Sequence, residues 1–262
     1  MDFKTLEFEI QNGVGYLTLN RPKAANAINL QMGRDLMEAA LYCDENPAVR
    51  AILIRATGKM FCSGGDLGSF SEAHEDLPRQ LKELTTYLHA AISRFARGNA
   101  PVIAAVGGAA AGAGFSLVTA ADLVVASQAA RFTLAYTQIG LSPDGSSTYF
   151  LPRIVGKRRA LELMLTNRVL SADEALDWGL VNQVVPDEEL EAISTKLAQR
   201  LAAGPTLAFG RTKRLLAASD PDGLETQMEL EARAIADSAR SQDAKAGIAA
   251  FLSKERASFQ GE

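Results

Sequence analysis

Apolar runs divide the first two-thirds of the chain into predicted strands. Residues 5–10 and 14–19 alternate between apolar and polar positions around the turn Gln11-Asn12-Gly13, which is typical of a β-hairpin. Shorter apolar runs have the length of buried strands and are too short for helices; they cover residues 49–55, 102–106 and 122–126. We therefore expect an α/β protein whose strands fall in its first part.

Helical periodicity separates these strands and then dominates after Pro186. Residues 79–97 carry Leu81, Leu84, Leu88, Ile92 and Phe95 on one face. The preceding segment 68–78 has no clear period and is predicted to be a mobile loop. We divide the chain into a core, residues 1–204, and a helical region, residues 205–262, whose apolar stripes would dock on the core or form an oligomer.

Two glycine-containing turns, residues 61–67 and 107–117, each follow a predicted strand and precede a predicted helix. The first N–H groups of a helix have no internal partner and favour negative charge. Small residues would allow a ligand to approach them closely. If the two turns face each other, they could offer two N–H groups to one thioester oxygen as an oxyanion hole. Their spacing in the chain does not show whether they meet.

Composition narrows the class of protein. Of the 262 residues, 47% are hydrophobic and 22% charged, which is ordinary globular usage. The net charge is −4 and no basic tract occurs, so a nucleic-acid partner is not expected. The alanine- and glycine-rich stretch 101–117 is a poor membrane span. With two cysteines and no signal-peptide pattern, we expect a cytoplasmic protein without a disulfide framework.

Six motifs carry a resemblance to a known family. They are RPKAANAIN (21–29), FCSGGDL (61–67), GGAAAGAGFSL (107–117), IGLSPDGSSTYFLPRIVG (139–156), ADEALDWGLVNQVV (172–185) and AFLSKE (250–255). In this order and spacing they resemble the crotonase family, also called the enoyl-CoA hydratase/isomerase family. The resemblance covers nearly the whole chain. It implies a spiral of ββα turns with a helical C-terminal region that forms trimers, often paired into hexamers.

The resemblance also implies roles for individual residues in binding an acyl-CoA thioester. The N–H groups of Gly65 and Ala113 occupy the oxyanion positions. Lys23, Ala24 and Ala25 would wrap the adenine and diphosphate of CoA. The residues expected to line the pantetheine and thioester are Ser63, Gly64, Gly65, Asp66 and Leu67, with Gly112, Ser116 and Tyr136 also expected in the binding site. Phe251 and Lys254 match a C-terminal pair that often reaches the CoA of a neighbouring subunit.

Two departures from the family pattern affect the expected reaction. Hydratases of the family activate water with two glutamates, where this chain has Ser116 and Tyr136. Neither hydroxyl is ionised near neutral pH without special help. One acid, Asp144, remains in the Pro-Asp-Gly segment, where some isomerases of the family carry their single acid. The alternative interpretation of Asp144 is a turn residue or helix cap. The resemblance favours a double-bond shift, or the opening of a ring epoxide, with Asp144 as acid and base.

Three alternatives to the isomerase remain open. The first is ordinary hydration. In the second, Asp144 is a nucleophile, as in the 4-chlorobenzoyl-CoA dehalogenases, which also carry a histidine at the position of His89 but a tryptophan at that of Tyr136. The third is a CoA-thioester binder without activity. The segment LETQMELEARA (224–234) and the AGAG form of the second turn look nearer to the ring-opening isomerase of phenylacetyl-CoA breakdown.

The remaining candidates are interpreted more simply. His89 is a possible site-lining residue, although its helix face also suits packing or solvent. Cys62 is interpreted as a small packed residue. No metal-ligand spacing, phosphate loop or dinucleotide motif occurs in the sequence. We expect no cofactor beyond the CoA that is part of the substrate.

Overall fold

The computed structural model describes residues 2–219 and 223–262, which form an α/β fold built on two sheets. The strands are β1 (Leu6–Gln11), β2 (Val14–Leu19), β3 (Ala51–Ala56), β4 (Val102–Val106), β5 (Ala109–Ala111), β6 (Leu123–Ser127), β7 (Arg131–Thr133), β8 (Leu170–Ser171) and β9 (Gln183–Val185). The helices are α1 (Leu30–Glu45), α2 (Leu67–Glu72), α3 (Leu77–Arg97), α4 (Ala113–Thr119), α5 (Ser147–Val155), α6 (Lys157–Thr166), α7 (Ala172–Asp177), α8 (Leu190–Ala202), α9 (Thr206–Ala218), α10 (Leu224–Ala239) and α11 (Gln242–Ser253). The predicted hairpin is confirmed as β1 and β2, which pair antiparallel.

The larger sheet has the order β1-β2-β3-β4-β6-β9, and every pair after the hairpin is parallel. A parallel sheet is covered on both faces, which explains why β2 and β4 are buried along their whole length. Helix α8 packs on one face, where Ala198 and Ala202 meet residues such as Tyr16 and Leu53. The main core lies on the opposite face.

The second sheet, β5-β7-β8, is built from short strands, of which β5 and β7 follow strands of the first. Strand β4 leads into β5 and then α4, and β6 leads into β7. An isolated parallel bridge between Cys62 and Ala110 repeats this arrangement after β3. Successive ββα turns therefore bring the segments that follow β3 and β4 side by side, which positions the candidate site.

Helices α1 and α3 pack against each other over the main core. Asn29 caps α1 by accepting a hydrogen bond from the Met32 N–H, and asparagine is among the residues preferred at this position. A methyl group built on Gly33 would lie 2.9 Å from Leu84 Cδ1, so the glycine allows the two helices to approach closely. The apolar face expected for α3 is buried at Leu84, Leu88, Ile92 and Phe95.

The mobile loop predicted for residues 68–78 is wrong, because this segment is helical. It contains most of α2, the 3₁₀ turn His74–Asp76 and the start of α3. Asp66 caps α2 by accepting a hydrogen bond from the Ser69 N–H at 3.1 Å, which supplies the local start signal. The chain between the first glycine turn and α3 is therefore formed mainly by helices.

Helices α9, α10 and α11 follow the core at the C-terminal end. Within the described ranges, α10 has no buried residue, and α11 has only Asp243 buried. Large apolar side chains are exposed on both helices: Leu224, Met228, Ile235, Ile248, Phe251 and Leu252. None of the described helices is both long enough and apolar enough to cross a bilayer.

Candidate functional site

The two glycine turns lie directly against each other, which the sequence left open. The N–H of Cys62 donates to the Ala109 carbonyl, and the N–H of Ala111 donates back to the Cys62 carbonyl at 2.8 Å. A methyl group built on Gly64 would lie 3.1 Å from the Ala111 carbonyl oxygen and 3.3 Å from Gly112 Cα. The absence of a side chain at Gly64 is what allows this approach.

Two backbone N–H groups remain unpaired where the turns meet. Ala113 is the first residue of α4, so its N–H has no acceptor within the helix. Gly65 bridges Ile28, but the N–H groups of Ile28 and Asp66 make the hydrogen bonds of that bridge. Neither Gly65 nor Ala113 donates its N–H to any of residues 2–219 or 223–262. The pair predicted for an oxyanion hole is thus available to a ligand.

A cavity of about 550 Å³ opens beside these N–H groups, and Gly65 and Ala113 both line it. Most of its wall is apolar: Ile28, Leu67, Phe70, Leu81, Leu84, Leu88, Leu134, Ile139 and Leu141. The charged residues of its described lining are Lys82 and Asp144. Such a cavity suits an apolar acyl group with one acidic group beside it.

Asp144 lies in the loop before α5, and its carboxylate is held by Tyr136. The Tyr136 hydroxyl donates to Asp144 Oδ1 at 2.5 Å. Burial, followed by the negative charge of Asp144, raises the pKa of Tyr136 above its ordinary value. The phenol therefore stays protonated and acts as a hydrogen-bond donor rather than as a base.

Ser116 contacts both Tyr136 and Asp144 and does not line the cavity. It is fully buried on α4, and its Oγ lies 3.1 Å from the Tyr136 hydroxyl and 2.9 Å from the Asp144 carbonyl oxygen, to which it can donate. A methyl group built on Gly145 would lie 2.8 Å from Ser116 Cβ. The absence of a side chain at Gly145 therefore allows the loop of Asp144 to pack closely on Ser116.

His89 belongs to this group, although its helix face also suited packing or solvent. Its Nε2 lies 3.5 Å from Asp144 Oδ2 and accepts a hydrogen bond from the Gly145 N–H at 3.2 Å. The His89 side chain is half exposed, and Asp144 is less than a third exposed. The loop of Asp144 is thus attached to α3 as well as to α4.

The segment predicted to wrap CoA runs beside the first glycine turn. Lys23 and Ala24 belong to the 3₁₀ turn Pro22–Ala24, and the Ala25 carbonyl accepts a hydrogen bond from the Ser63 N–H. Lys23 is exposed and lies outside the apolar cavity, whereas Ser63, Gly64 and Leu67 line it.

Asp66 has a structural environment that the sequence did not indicate. Its carboxylate forms an ion pair with Arg21 at 2.9 Å and caps α2. The buried Asn26 accepts from the Arg21 N–H and donates to the carbonyls of Thr57 and Met60. Asp66 and Asn26 therefore fix the position of the first turn.

Three other candidate residues do not line the cavity. Phe251, on α11, is 84% exposed, and Lys254 ends the same helix in a left-handed conformation. Neither lines the cavity of the same chain. Cys62 is confirmed as a packed residue: it is fully buried against Gly114, and burial raises the pKa of its thiol to about 12.

The chain is similar to known proteins along almost its whole length. Residues 9–262 match the family model described as enoyl-CoA hydratase/isomerase. The 1,2-epoxyphenylacetyl-CoA isomerase of Escherichia coli K12 is 35% identical, over 97% of each chain. The 4-chlorobenzoyl coenzyme A dehalogenase-2 of an Arthrobacter species is 36% identical, over 95% of this chain and 91% of the relative.

A solved structure shares the fold along almost the whole chain. The enoyl-CoA hydratase from Polaromonas sp. JS666 superposes with a TM-score of 0.92 at 32% identity, over 97% of this chain and 99% of that one. The crotonase fold implied by the sequence motifs is therefore confirmed. The chain belongs to the enoyl-CoA hydratase/isomerase family, the crotonases.

Proposed function

We propose that the chain is an acyl-CoA isomerase that moves a double bond with Asp144 as its acid and base. One observation carries this proposal: of the described residues that line the apolar cavity, Asp144 alone has a carboxylate, and the unpaired N–H groups of Gly65 and Ala113 line the same cavity. One carboxylate and an oxyanion hole are sufficient for a 1,3-proton shift.

The reaction requires two proton transfers on one face of the substrate. The Asp144 carboxylate removes a proton from the carbon next to the thioester carbonyl, and the electron pair moves into that carbonyl. The resulting enolate oxygen accepts hydrogen bonds from Gly65 and Ala113. The Asp144 carboxylic acid then returns the proton two carbons further along, which restores the thioester and shifts the double bond. These steps use no metal or redox cofactor.

Two observations favour isomerisation over hydration. At the positions where the hydratases of the family have glutamates, Ser116 is fully buried and Tyr136 is held protonated beside Asp144. Neither residue is suited to take a proton from water. The isomerase name of the Escherichia coli relative also supports this assignment, with the opening of a ring epoxide as a variant of the same chemistry.

The test is proton exchange in heavy water. We would incubate the protein with 3-enoyl-CoA and 2-enoyl-CoA thioesters and follow the products by mass spectrometry. Interconversion with label at the α or γ carbon supports the proposal, whereas a 3-hydroxyacyl-CoA product would indicate a hydratase. Asp144→Asn should retain acyl-CoA binding and lose turnover. Binding without turnover of any acyl-CoA by the unaltered chain would instead indicate a binding protein.

A second candidate function is the hydrolytic removal of a halide from the ring of an aryl-CoA thioester. The observation that favours it is His89 beside Asp144, together with the dehalogenase relative. Asp144 would attack the ring carbon that carries the halide, and the halide would leave; water would then hydrolyse the aryl ester. A single turnover in ¹⁸O-labelled water distinguishes the two functions, because only this one puts label into the Asp144 carboxylate.

We also propose that the active form is a homotrimer, or a hexamer of two trimers. The exposed apolar residues of α10 and α11 support this assembly, because the surface of a monomeric protein rarely carries so many large apolar side chains close together. Phe251 and Lys254 would then reach the CoA of a neighbouring copy rather than that of their own chain.

A further inference from the structure

The two oxygens of the Asp144 carboxylate have different neighbours. Oδ1 accepts the short hydrogen bond from Tyr136. Oδ2 receives no hydrogen bond from the described residues, and its polar neighbour is His89 Nε2 at 3.5 Å. The protonation state of His89 therefore determines whether Oδ2 is free or paired.

The hydrogen bond from Gly145 defines that state. His89 Nε2 accepts from the Gly145 N–H at 3.2 Å, so this nitrogen presents its lone pair. Neutral imidazole has one N–H and one acceptor nitrogen, which assigns the proton to Nδ1. A nitrogen that accepts from Gly145 cannot donate to Oδ2 at the same time. The 3.2 Å hydrogen bond and the 3.5 Å ion pair are thus alternatives.

We propose that His89 is a positioning residue that is active only when neutral: with its proton on Nδ1, it holds Gly145 and leaves Asp144 Oδ2 free to take the substrate proton. When His89 is protonated, Nε2 becomes a donor. It then no longer accepts from the Gly145 N–H and instead donates to Asp144 Oδ2. That oxygen is then not free to take the substrate proton. This inference rests on the proposed function of Asp144 as the base.

The surroundings of His89 offer few other charges. Asp144 and Tyr136 are the ionisable groups on the loop that faces it. Helix α4 contains no ionisable residue, and on α5 the Arg153 guanidinium lies over the Tyr149 ring. The residues one turn away on α3 are uncharged: Thr85, Thr86, Ile92 and Ser93. Because His89 is half exposed, protons from solvent reach it.

The first test compares the pH profile of kcat/KM with that of a glutamine variant. The Oε1 atom of His89→Gln can accept from the Gly145 N–H, but the amide does not titrate. Because protonation of His89 would occupy Asp144 Oδ2, wild-type activity should fall on the acid side of its profile, and the acid limb of the variant should lie at lower pH. The acceptor for the Gly145 N–H is retained in this variant, so it should remain measurably active on the alkaline side of its acid limb.

Two results would overturn the proposal. One is an acid limb at the same pH in both proteins. The other is a folded variant that is inactive at every pH, which would mean that His89 takes part in the chemistry. Asp144→Asn is measured alongside: if it remains active at pH 8, the proposed function fails, independently of the limb.

A second measurement does not depend on activity. The chain has two histidines, His74 and His89, so ¹⁵N NMR resolves them and His89→Gln assigns the signals. We expect His89 to carry its proton on Nδ1 at pH 8. A proton on Nε2 in the free protein would contradict the inference.

Discussion

Tyr136 holds Asp144 through a hydrogen bond of 2.5 Å between the phenol oxygen and Oδ1. Ser116, on α4, contacts both members of the pair: its Oγ lies 3.1 Å from the Tyr136 hydroxyl and donates to the Asp144 carbonyl. A neutral donor bound to an ionised carboxylate fixes the orientation of that carboxylate without neutralising it. In the proposed isomerase this orientation directs Oδ2 toward the substrate.

Tyr136→Phe should therefore lower kcat and leave KM for the acyl-CoA nearly unchanged. A hydrogen bond to a charged group contributes about 1.5–3 kcal/mol, so the loss in kcat should be roughly ten- to a hundredfold. Steady-state kinetics of the isomerisation measure both constants. Tyr149→Phe is the matched control, since Tyr149 is exposed outside the cavity. A kcat for Tyr136→Phe within twofold of wild type would show that Asp144 needs no such support.

Gly64 provides a test of the oxyanion hole that removes no functional side chain. Gly64→Ala introduces a methyl group 3.1 Å from the Ala111 carbonyl at a φ of 101°, so the two turns must move apart. The N–H groups of Gly65 and Ala113 would then no longer both donate to the same substrate oxygen, so the rate should fall by ~10²–10³.

Gly179→Ala is the matched control for Gly64→Ala. Gly179 also has a positive φ, 75°, but no atom lies within 4 Å of the added methyl group. It should lose some stability and keep its rate per folded molecule. Equal rates for the two folded variants would contradict the assignment of the oxyanion hole.

The local elements and the candidate base could be predicted from the sequence. The β1–β2 hairpin and the Asn29 cap have short-range signals, and the family motifs single out Asp144. The helical segment after Asp66 is not predicted from its periodicity. Aspartate is a common N-cap, and Asp66 accepts from the Ser69 N–H, so the cap is the signal that could have identified the start of α2.

Contacts between distant segments could not be predicted in this way. The meeting of Gly64 and Gly112 depends on the winding of successive ββα turns, which no local pattern encodes. His89 lies between the buried residues Leu88 and Ile92, and its partner Gly145 is 56 positions away. Nothing in the helix period distinguishes such a residue from a solvated one.

Lys213 and Asp122 form a second long-range contact that the sequence did not reveal. The Lys213 ammonium, on α9, lies 2.7 Å from Asp122 Oδ2 and donates to the carbonyls of Phe95 and Ala100. Burial raises the pKa of Asp122 and lowers that of Lys213, so desolvation opposes both charges. The full set of hydrogen bonds offsets this cost.

Lys213→Met should destabilise the protein by about 3 kcal/mol, because it leaves the Asp122 carboxylate and two carbonyls without their cation. Urea unfolding followed by circular dichroism measures the change. Arg233→Met breaks an ion pair that is exposed on both sides and should have little effect. If the two variants unfolded at the same urea concentration, the Lys213 pair would not attach α9 to the core.

Phe251 tests the proposed assembly, because it is 84% exposed and lies on a helix that has few contacts with its own core. Burying a phenylalanine contributes roughly 1.5–3 kcal/mol in each copy, and a trimer would gain this three times. Phe251→Glu should therefore convert the assembly to monomers and raise KM for acyl-CoA, if a neighbouring copy completes the CoA site. Multi-angle light scattering measures the mass. Gln242→Glu adds the same charge at an exposed position of α11 and should leave the assembly intact. A wild-type mass of one chain would refute the assembly, and a trimeric Phe251→Glu variant would locate the interface elsewhere.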